Sequence, residues 1–403
     1  MAGRDSPVIL CCTGSLDGGG SERQMTQLVT RVDRRAFHPE LFLLYRRGVF
    51  LEQIPEDVSI HAFWNAQRES RRWLPGEIHR HQVRELVDIL SRRRISLLYD
   101  RTYHMSLITY PAASRSKVPR ISTIVSPPSR DFAGGRERFK WIKKKLLRSA
   151  YATAAVTIAV SDNVARDAAT FYRLPVETIR VIPSPVDFQL VNSAAAESDS
   201  IGKHQDPGVF RILVVGRLSA EKGHLFMLEV VRELRRLANE ASDGPAKIQV
   251  DILGDGPLRS ECELTAQRLG ISDCVSFHGF VVNPYTWMSS AHCLCIPSIY
   301  EGLPNVALEA MCLKTPVVAT ECSSGLRQLL GDQSRGVIVP IGDVKAFAQQ
   351  VLKCYTHGEQ CRKRTKDAFD YIMAHHNLDA WLETMQQCFR EAIGKTGHGG
   401  SRI

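Results

Sequence analysis

Short apolar runs alternate along the first half of the chain with segments in which apolar residues recur every three or four positions. The run from Val8 to Cys12 is followed by a segment from Ser21 in which Met25 and Leu28 share one helical face. Buried strands that alternate with amphipathic helices are typical of a parallel sheet covered on both faces, so we predict a doubly wound α/β sheet. The predicted strands are 8–12, 41–45, 59–63, 95–99, 120–125 and 154–160, and the predicted helices are 76–92, 106–115, 136–150 and 162–172, besides the one from Ser21.

The same alternation starts again in the second half of the chain, after an interruption. Residues 191–208 are rich in Ser, Ala, Asp and Gly and are predicted to form a linker. We therefore expect one Rossmann-like domain over 1–190 and a second over 209–375, with a further helical pattern at 378–393. The strands of the second domain are predicted at 210–215, 247–253, 275–277, 293–296 and 316–319, and its helices at 222–239, up to 269, 304–313, 343–356 and 360–374.

Composition narrows the class of protein. With 44% hydrophobic and 24% charged residues, the chain is neither disordered, collagenous nor a coiled coil. It has no run of 18 apolar residues, and its eleven cysteines form no Cys-x-x-Cys pair. No signal peptide is predicted, because the first apolar run, Val8 to Cys12, is short and follows Arg4 and Asp5. These features predict a soluble cytoplasmic protein with reduced thiols.

The formal charge of +9 lies entirely in the first half. Residues 1–200 carry 30 Lys and Arg against 21 Asp and Glu, whereas residues 201–403 carry 22 of each. A positive field of this kind attracts an anionic partner such as a phosphate, an acidic lipid or a nucleic acid.

Four glycine-containing turns follow predicted strands, at 18–20, 216–217, 254–256 and 301–302. Ligands bind at the carboxyl ends of strands in open parallel sheets, and free amides at a helix start suit phosphate. No turn matches Gly-x-Gly-x-x-Gly and no Walker A motif occurs, which argues against a dinucleotide dehydrogenase and a P-loop ATPase. Each turn taken alone is also explained by the need for tight turning.

Charged residues at two of these turns are stronger evidence for a bound ligand than the glycines are. Arg217 ends a strand, and Lys222 stands at a helix start, where a cation opposes the helix dipole. A bound pyrophosphate would compensate that charge; the alternative is a surface pair between these cations and Glu221. Glu301 and Glu309 flank another helix start, and two carboxylates suit a ligand with many hydroxyls. The alternative is that Glu301 is part of a turn and Glu309 is a solvated helix residue, although the apolar neighbours of Glu309 predict that its side chain is buried.

These motifs together resemble the retaining glycosyltransferases of glycosyltransferase family 4. The resemblance spans nearly the whole chain and is strongest over 212–340, where Val-Val-Gly-Arg-Leu-Ser-Ala-Glu-Lys-Gly, Leu-Gly-Asp-Gly-Pro-Leu, Phe-His-Gly-Phe, Pro-Ser-Ile-Tyr-Glu-Gly-Leu-Pro-Asn, Pro-Val-Val-Ala-Thr and Gly-Val-Ile-Val-Pro follow in order. The resemblance implies the GT-B fold, in which two Rossmann-like domains face a central cleft. The domain at 1–190 would be the acceptor side and the domain at 209–375 would bind the nucleotide sugar, while the helix of the C-terminal segment, 376–403, would cross back to the first domain.

The resemblance also implies roles for individual residues. Arg217 and Lys222 would hold the donor pyrophosphate, Glu309 the ribose hydroxyls and Glu301 the transferred sugar, with Arg217, Lys222 and Glu301 as the catalytic residues. The remaining donor-binding positions are Gly18, Gly19, Gly216, Gly302, Leu303, Pro304 and Asn305. Neither a metal nor another cofactor is expected, since the nucleotide sugar is the substrate. Many family members have a His after the strand at 120–125; here Ser126 or Pro127 occupies that region, and whether Ser126 or His104 replaces the histidine stays open.

The segment 136–148 bears on the acceptor. It carries seven basic residues and one acid, interleaved with Phe139, Trp141, Ile142, Leu146 and Leu147. This pattern is typical of a helix that lies on anionic lipid, but a core-packed helix with a solvated basic face fits it as well. If the helix docks on the cytoplasmic face of a membrane, the acceptor would be a lipid-linked saccharide. No nucleic-acid-binding motif is present.

The leading hypothesis is a transferase that moves a hexose or N-acetylhexosamine from a nucleotide-diphosphate sugar, most simply UDP-linked, to a glycan or lipid-linked acceptor in glycoconjugate synthesis. Two alternatives remain open at this point. One is a UDP-sugar 2-epimerase on the same fold, which needs no acceptor. The other is a catalytically silent glycan- or membrane-binding protein.

Overall fold

The computed structural model describes residues 6–65, 74–133, 139–197 and 208–397. The chain forms two compact units, each described here by itself. The first unit comprises Met1–Ser184 and Asp379–Ile403, and the second comprises Pro185–Leu378.

The first unit is built on a seven-stranded parallel sheet in the order β3-β2-β1-β4-β5-β6-β7. Its strands are Val8–Thr13 (β1), His38–Tyr45 (β2), Ile60–Trp64 (β3), Leu97–Arg101 (β4), Arg120–Ile124 (β5), Val156–Ala159 (β6) and Ile179–Val181 (β7). Its helices are Gly20–Arg31 (α1), Glu77–Arg92 (α2), Tyr103–Ser116 (α3), Pro128–Asp131 (α4), Lys140–Thr153 (α5) and Asp162–Tyr172 (α6). The central strands β4 and β5 are buried along their whole length, as the predicted doubly wound sheet requires.

The second unit contains a six-stranded parallel sheet in the order β10-β9-β8-β11-β12-β13. Its strands are Val209–Val215 (β8), Lys247–Leu253 (β9), Val275–Gly279 (β10), Cys293–Ile296 (β11), Val317–Thr320 (β12) and Val337–Val339 (β13). Its helices are Phe188–Ala196 (α7), His224–Glu240 (α8), Arg259–Arg268 (α9), Tyr285–Ser290 (α10), Asn305–Cys312 (α11), Ser324–Leu330 (α12), Val344–Thr356 (α13) and Gly358–His375 (α14).

Alternate residues of β8 enter two cores on opposite faces of this second sheet. Ile212 and Val214 pack into the core beneath α8 and α13, whereas Leu213 packs into the core beneath α10 and α11. Side chains alternate across a strand, so an unbroken apolar run is what a strand covered on both faces needs. The two Rossmann-like sheets predicted from the sequence are confirmed.

The last helix, Leu378–Gly397 (α15), packs against the first unit. The ring of Phe389 meets Phe37 edge-on at 5.7 Å and lies 5.9 Å from Tyr99. The Arg180 guanidinium pairs with Glu391 at 2.8 Å. The expectation that the C-terminal helix returns to the first domain is therefore confirmed.

The predicted linker at 191–208 needs correction at its start. Residues 191–196 belong to α7, and the chain passes from one unit to the other between Ser184 and Pro185 instead of at residue 190. The Asp187 side chain caps α7 by accepting a hydrogen bond from the Leu190 amide, and Val191 is buried in the second unit. Ala-rich composition hides such a helix, because alanine favours helices but gives little apolar pattern. Residues 198–207 lie outside the described part of the chain.

Across the described ranges, no helix combines the length and the apolar character needed to cross a lipid bilayer.

Candidate active site

The loop after β8 carries Gly216 and Arg217 and interlocks with the loop after β9. The Gly216 amide donates to the Leu253 carbonyl at 2.9 Å, and a β-carbon on Gly254 would overlap the carbonyl of Gly216. Glycine is therefore required at 254 by backbone contact, whether or not a ligand binds. The Arg217 side chain is exposed and makes no hydrogen bond or ion pair within the described ranges, so its guanidinium can bind an anion.

Lys222 stands on the turn that leads into α8. Gly223 caps this helix with a left-handed backbone, φ 68°, and a β-carbon there would overlap the Pro297 carbonyl at the end of β11. This close approach brings the turn beside the loop after β11, where the Ile299 amide donates to the Glu221 carbonyl at 2.7 Å. The glycine thus places Lys222 against the segment that carries Glu301.

Lys222 and Glu301 form an ion pair, with Nζ and Oε1 2.6 Å apart and both side chains largely shielded from solvent. The hydroxyl of Ser298 donates to the same Oε1 at 2.9 Å. Residues 79 positions apart in sequence therefore meet at the ends of neighbouring strands. The sequence predicts that these two residues contact one ligand, whereas their direct contact with each other has no sequence signal.

Glu309 lies in the second turn of α11 and is only 6% exposed. The Tyr285 hydroxyl, at the start of α10, lies 3.5 Å from its Oε1. Burial raises the pKa of the Cys312 thiol to about 12, and the charge of Glu309 adds to this effect. The alternative of a solvated helix residue is therefore wrong, and a buried carboxylate beside a tyrosine hydroxyl is suited to bind hydroxyl groups.

The segment between these two glutamates forms the start of α11. Gly302 and Pro304 are buried, while Leu303 and Asn305 are half-buried. The Ser323 hydroxyl, which caps α12, donates to the Gly302 carbonyl at 3.3 Å. This hydrogen bond ties the segment before α11 to the loop after the neighbouring strand β12.

Gly18 and Gly19 lie in the first unit, directly before α1. A β-carbon on Gly19 would overlap the Glu22 carboxylate, which folds back over this helix start. Burial raises the pKa of Glu22, and the nearby Asp17 adds to the shift. Asp17 itself is tied to Arg47 at 3.1 Å and accepts from Ser15 at 2.9 Å. This glycine loop is therefore lined by two carboxylates, which its sequence alone did not suggest.

Sequence reasoning missed three side chains that contact these positions: Tyr285, Ser298 and Asp131. Tyr285 and Ser298 lie in an uncharged stretch with no motif of their own, and only the fold brings them to Glu309 and Glu301. Asp131 accepts a 2.5 Å hydrogen bond from Ser126, one of the two residues considered for the place of the family's histidine. His104, the other residue, is exposed and stacks on Tyr103.

No cluster of three or more His, Cys, Asp or Glu side chains within the described ranges is arranged to hold a metal ion. Cys293 and Cys295 are buried in the core of the second unit.

Comparisons with known proteins agree on one family. A model of "Glycosyl transferases group 1" matches residues 209–357, and a model of "Glycosyltransferase Family 4" matches residues 18–190. The 2-deoxystreptamine N-acetyl-D-glucosaminyltransferase of Streptomyces fradiae is 26% identical over 82% of this chain and 74% of its own length. A Campylobacter jejuni enzyme, N-acetylgalactosamine-N,N'-diacetylbacillosaminyl-diphospho-undecaprenol 4-alpha-N-acetylgalactosaminyltransferase, is 24% identical over 56% of this chain and 57% of its own.

A solved structure matches nearly the whole fold. Anabaena Alr3699/HepE, in complex with UDP and glucose, superimposes with a TM-score of 0.77, covering 94% of this chain and 98% of that one at 17% identity. At this identity the likeness shows the fold alone.

Proposed function

This chain belongs to glycosyltransferase family 4 and has the GT-B fold, and we propose that it moves a hexose or an N-acetylhexosamine from a UDP-linked donor to a glycan or a lipid-linked saccharide. The observation that carries the proposal is the site in the second unit. There an exposed Arg217, the Lys222–Glu301 pair and the buried Glu309 follow the ends of two neighbouring strands.

In the proposed donor site, cations and carboxylates bind different parts of the donor. Arg217 and Lys222 hold the diphosphate, because fixed cations stabilise the negative charge that develops on a departing nucleoside diphosphate. Glu309 and Tyr285 receive the ribose hydroxyls. Lys222 has three donors, so it can keep Glu301 and bind a phosphate oxygen at the same time. These cations do the work that a metal ion does elsewhere, so the proposed reaction needs none.

We infer that the reaction retains the anomeric configuration by attack from the front face. Glu301 Oε1 is bound by both Lys222 and Ser298, which makes this carboxylate a poor nucleophile and a good orienting group for sugar hydroxyls. The departing phosphate oxygen then takes the acceptor's proton as the new glycosidic bond forms. No separate base is required in this scheme.

Helix α5 supports an acceptor held at an anionic membrane. Its inner side, Leu147, Ala150 and Tyr151, packs into the first unit, whereas Trp141 is 74% exposed and Phe139 62%. Ile142 and Leu146 are exposed beside them, among Lys143, Lys144, Lys145 and Arg148. An exposed apolar stripe bordered by cations suits the headgroup region of a bilayer better than water. Residues 136–138 of the predicted segment lie outside the described ranges.

The relatives give this acceptor proposal a chemical precedent. The Campylobacter relative acts, by its name, on a diphospho-undecaprenol-linked saccharide, whereas the Streptomyces relative acts on 2-deoxystreptamine. Helix α5 favours the lipid-linked class, and peripheral membrane association is part of the proposal.

The test of the donor site is turnover of UDP-glucose and UDP-N-acetylglucosamine by the double variant Arg217→Ala, Lys222→Ala. We expect donor hydrolysis and transfer to fall by at least 100-fold, with an unfolding midpoint close to that of wild type. Arg232→Ala is the matched control, because this exposed arginine of α8 pairs only with Glu229 within the described ranges. Near-normal turnover in the double variant would refute the proposed site.

Product analysis separates the enzyme classes. An epimerase interconverts UDP-sugars without releasing UDP, whereas a transferase releases UDP and forms a glycoside or, without an acceptor, the free sugar. Interconversion of two UDP-sugars without UDP release would favour the epimerase, and an inert mixture would favour a silent binding protein.

A further inference from the structure

Four cysteines that the donor site does not use lie close together in the second unit. Cys293 and Cys295 belong to β11, Cys354 to the last turn of α13 and Cys361 to the first turn of α14. All four are free thiols. Cys293 is the first residue of its strand, so the cluster reaches the amino edge of the sheet, opposite the edge that carries the donor site.

The junction of α13 and α14 brings two of these sulfurs to the same short stretch of backbone. Only His357 separates the two helices, and its amide donates to the Lys353 carbonyl at 3.0 Å. The Cys361 Sγ lies 3.9 Å from the same carbonyl oxygen, whose peptide group leads directly into Cys354. The Cys354 Sγ in turn donates to the Gln350 carbonyl at 3.6 Å.

The thiols are near enough to change each other's acidity. Contact with the Cys354 thiol, followed by burial, raises the pKa of Cys361. Contact with Cys293 raises the pKa of Cys354, whereas contact with Cys361 acts in the opposite direction. Cys354 is therefore the central member, with one sulfur on either side. Because the raised pKa keeps both Cys354 and Cys361 protonated, they stay reduced at neutral pH unless an oxidant is present.

Access and charge single out Cys354 and Cys361 as the pair that can react. Cys354 is half-buried and Cys361 is 8% exposed, whereas Cys293 is fully buried. The guanidinium of Arg364, one turn after Cys361, opposes the rise in pKa at both thiols of the pair. The thiolate is the nucleophile in thiol chemistry, and a neighbouring cation favours it. A small oxidant thus reaches Cys354 first and finds Cys361 beside it.

We propose that Cys354 and Cys361 form a reversible disulfide when a peroxide oxidises the protein. The Cys354 sulfur attacks one oxygen of hydrogen peroxide, the O–O bond breaks, and the released hydroxide takes up the thiol proton as water, which leaves a sulfenic acid. The Cys361 sulfur then attacks that sulfur, the S–O bond breaks, and a second water leaves with the Cys361 proton. In sum, two thiols and one peroxide give one disulfide and two water molecules.

The disulfide would join α13 to α14 and leave the donor site untouched. Helix α13 packs on α8 through Phe347, whose ring meets Phe226 edge-on at 5.7 Å. A covalent link at the end of α13 therefore stabilises a helix that belongs to the core of the second unit. The inference is independent of the proposed function, since it uses none of the donor-binding residues.

The test is peptide mapping of the full chain after incubation with hydrogen peroxide. Free thiols are blocked under denaturing conditions before digestion with trypsin. Cleavage after Lys353 and Arg362 releases one peptide, 354–362, that contains both cysteines of the pair. A disulfide between them makes this peptide lighter by two hydrogen atoms and leaves it without blocking groups. This measurement on wild type needs no variant to fold.

Variants and thermal unfolding identify the partners. Cys354→Ser and Cys361→Ser each remove one sulfur of the pair. Cys274→Ser is the matched control, because Cys274 is a buried thiol of the same unit whose sulfur also donates to a backbone carbonyl, that of Ile271 at 3.3 Å. Unfolding midpoints are measured before and after peroxide, and again after reduction with dithiothreitol.

We expect peptide 354–362 to carry the disulfide in wild type and in Cys274→Ser, and to lose it on reduction. The unfolding midpoint of the oxidised wild type should rise by roughly 5 °C, because closing this short loop removes disorder from the unfolded chain. Peroxide should give no such rise in Cys354→Ser or Cys361→Ser. The proposal is overturned if peptide 354–362 keeps two blocked thiols after peroxide, or if the disulfide joins Cys354 to Cys293.

Discussion

At the scale of single residues, the proposed donor site depends on the ion pair between Lys222 and Glu301. An isolated lysine in this turn would be a general anion site, whereas Lys222 is held in place by the Glu301 carboxylate, which itself accepts a hydrogen bond from Ser298. In the proposed donor site the two side chains act on adjacent parts of one ligand, the diphosphate and the sugar.

Glu301→Gln tests this division of roles. We expect UDP-glucose to bind at least tenfold more weakly, since a hydrogen bond to a charged group contributes roughly 1.5–3 kcal/mol. Affinity for UDP alone should stay the same or rise, because Lys222 is released for the phosphates. Calorimetric titration of both nucleotides with wild type and variant measures the difference. Equal losses for UDP and UDP-glucose would contradict a sugar-binding role for Glu301.

His224, the first residue of α8, predicts a pH dependence of stability. It is 1% exposed, and neither ring nitrogen has a hydrogen-bond partner among the described residues. Burial lowers its pKa to about 4, and the charge of Lys222 adds to the effect. The folded protein keeps this ring neutral, while the unfolded chain takes up a proton below about pH 6.5. Stability should therefore fall as the pH drops from 7 towards 4.

We expect this group to remove about 2 kcal/mol of unfolding free energy between pH 7 and pH 5. In His224→Leu, which fills a similar volume without titrating, the loss should shrink by that amount. Denaturant unfolding at the two pH values measures it, with His357→Leu, an exposed histidine, as control. An identical pH dependence in His224→Leu and wild type would show that His224 is not the group responsible.

At the scale of elements, α5 predicts membrane binding. Changing Lys143, Lys144 and Lys145 to Gln should reduce co-sedimentation with vesicles containing phosphatidylserine at least tenfold at low salt, because each cation near an anionic surface contributes about 1 kcal/mol. The matched control changes the exposed Arg362, Lys363 and Lys366 of α14 to Gln. If the two triple variants sediment alike, α5 has no special role at the membrane.

Elements with a clear apolar pattern could be predicted from the sequence, and those without one could not. Strands β1, β9 and β11 and the helices α2, α6 and α13 lie within about two residues of their predicted bounds, because each has an unbroken apolar run or a regular apolar period. Strands β7 and β13 have three residues each, too few for a period. Helix α12 begins at a Ser323 cap within a polar stretch and was missed for the same reason.

At the scale of the whole molecule, the return of α15 makes the first unit depend on the end of the chain. Phe389→Ala should destabilise that unit by about 3–5 kcal/mol, as for other buried aromatic residues, because the ring packs on Phe37 and Tyr99. Calorimetry, with UDP affinity as a readout of the second unit, measures the effect. Phe280→Ala, an exposed aromatic of the second unit, is the control. An unchanged thermogram would show that α15 does not support the first unit.

More of the fold than of the candidate site could be predicted from the sequence. Two doubly wound sheets follow from local periodicity, and the family follows from motifs over most of the chain. The contact of Lys222 with Glu301, the burial of Glu309 beside Tyr285 and the link of Ser126 to Asp131 each depend on which strands are neighbours and how helices pack on them. Such contacts join residues from separate elements, so no local sequence pattern predicts them.

A crystal structure with UDP bound tests the central claim most directly. The account predicts the diphosphate within hydrogen-bonding distance of the Arg217 guanidinium and the Lys222 ammonium, with the ribose hydroxyls on the Glu309 carboxylate. UDP bound away from Arg217, Lys222 and Glu309 would contradict it.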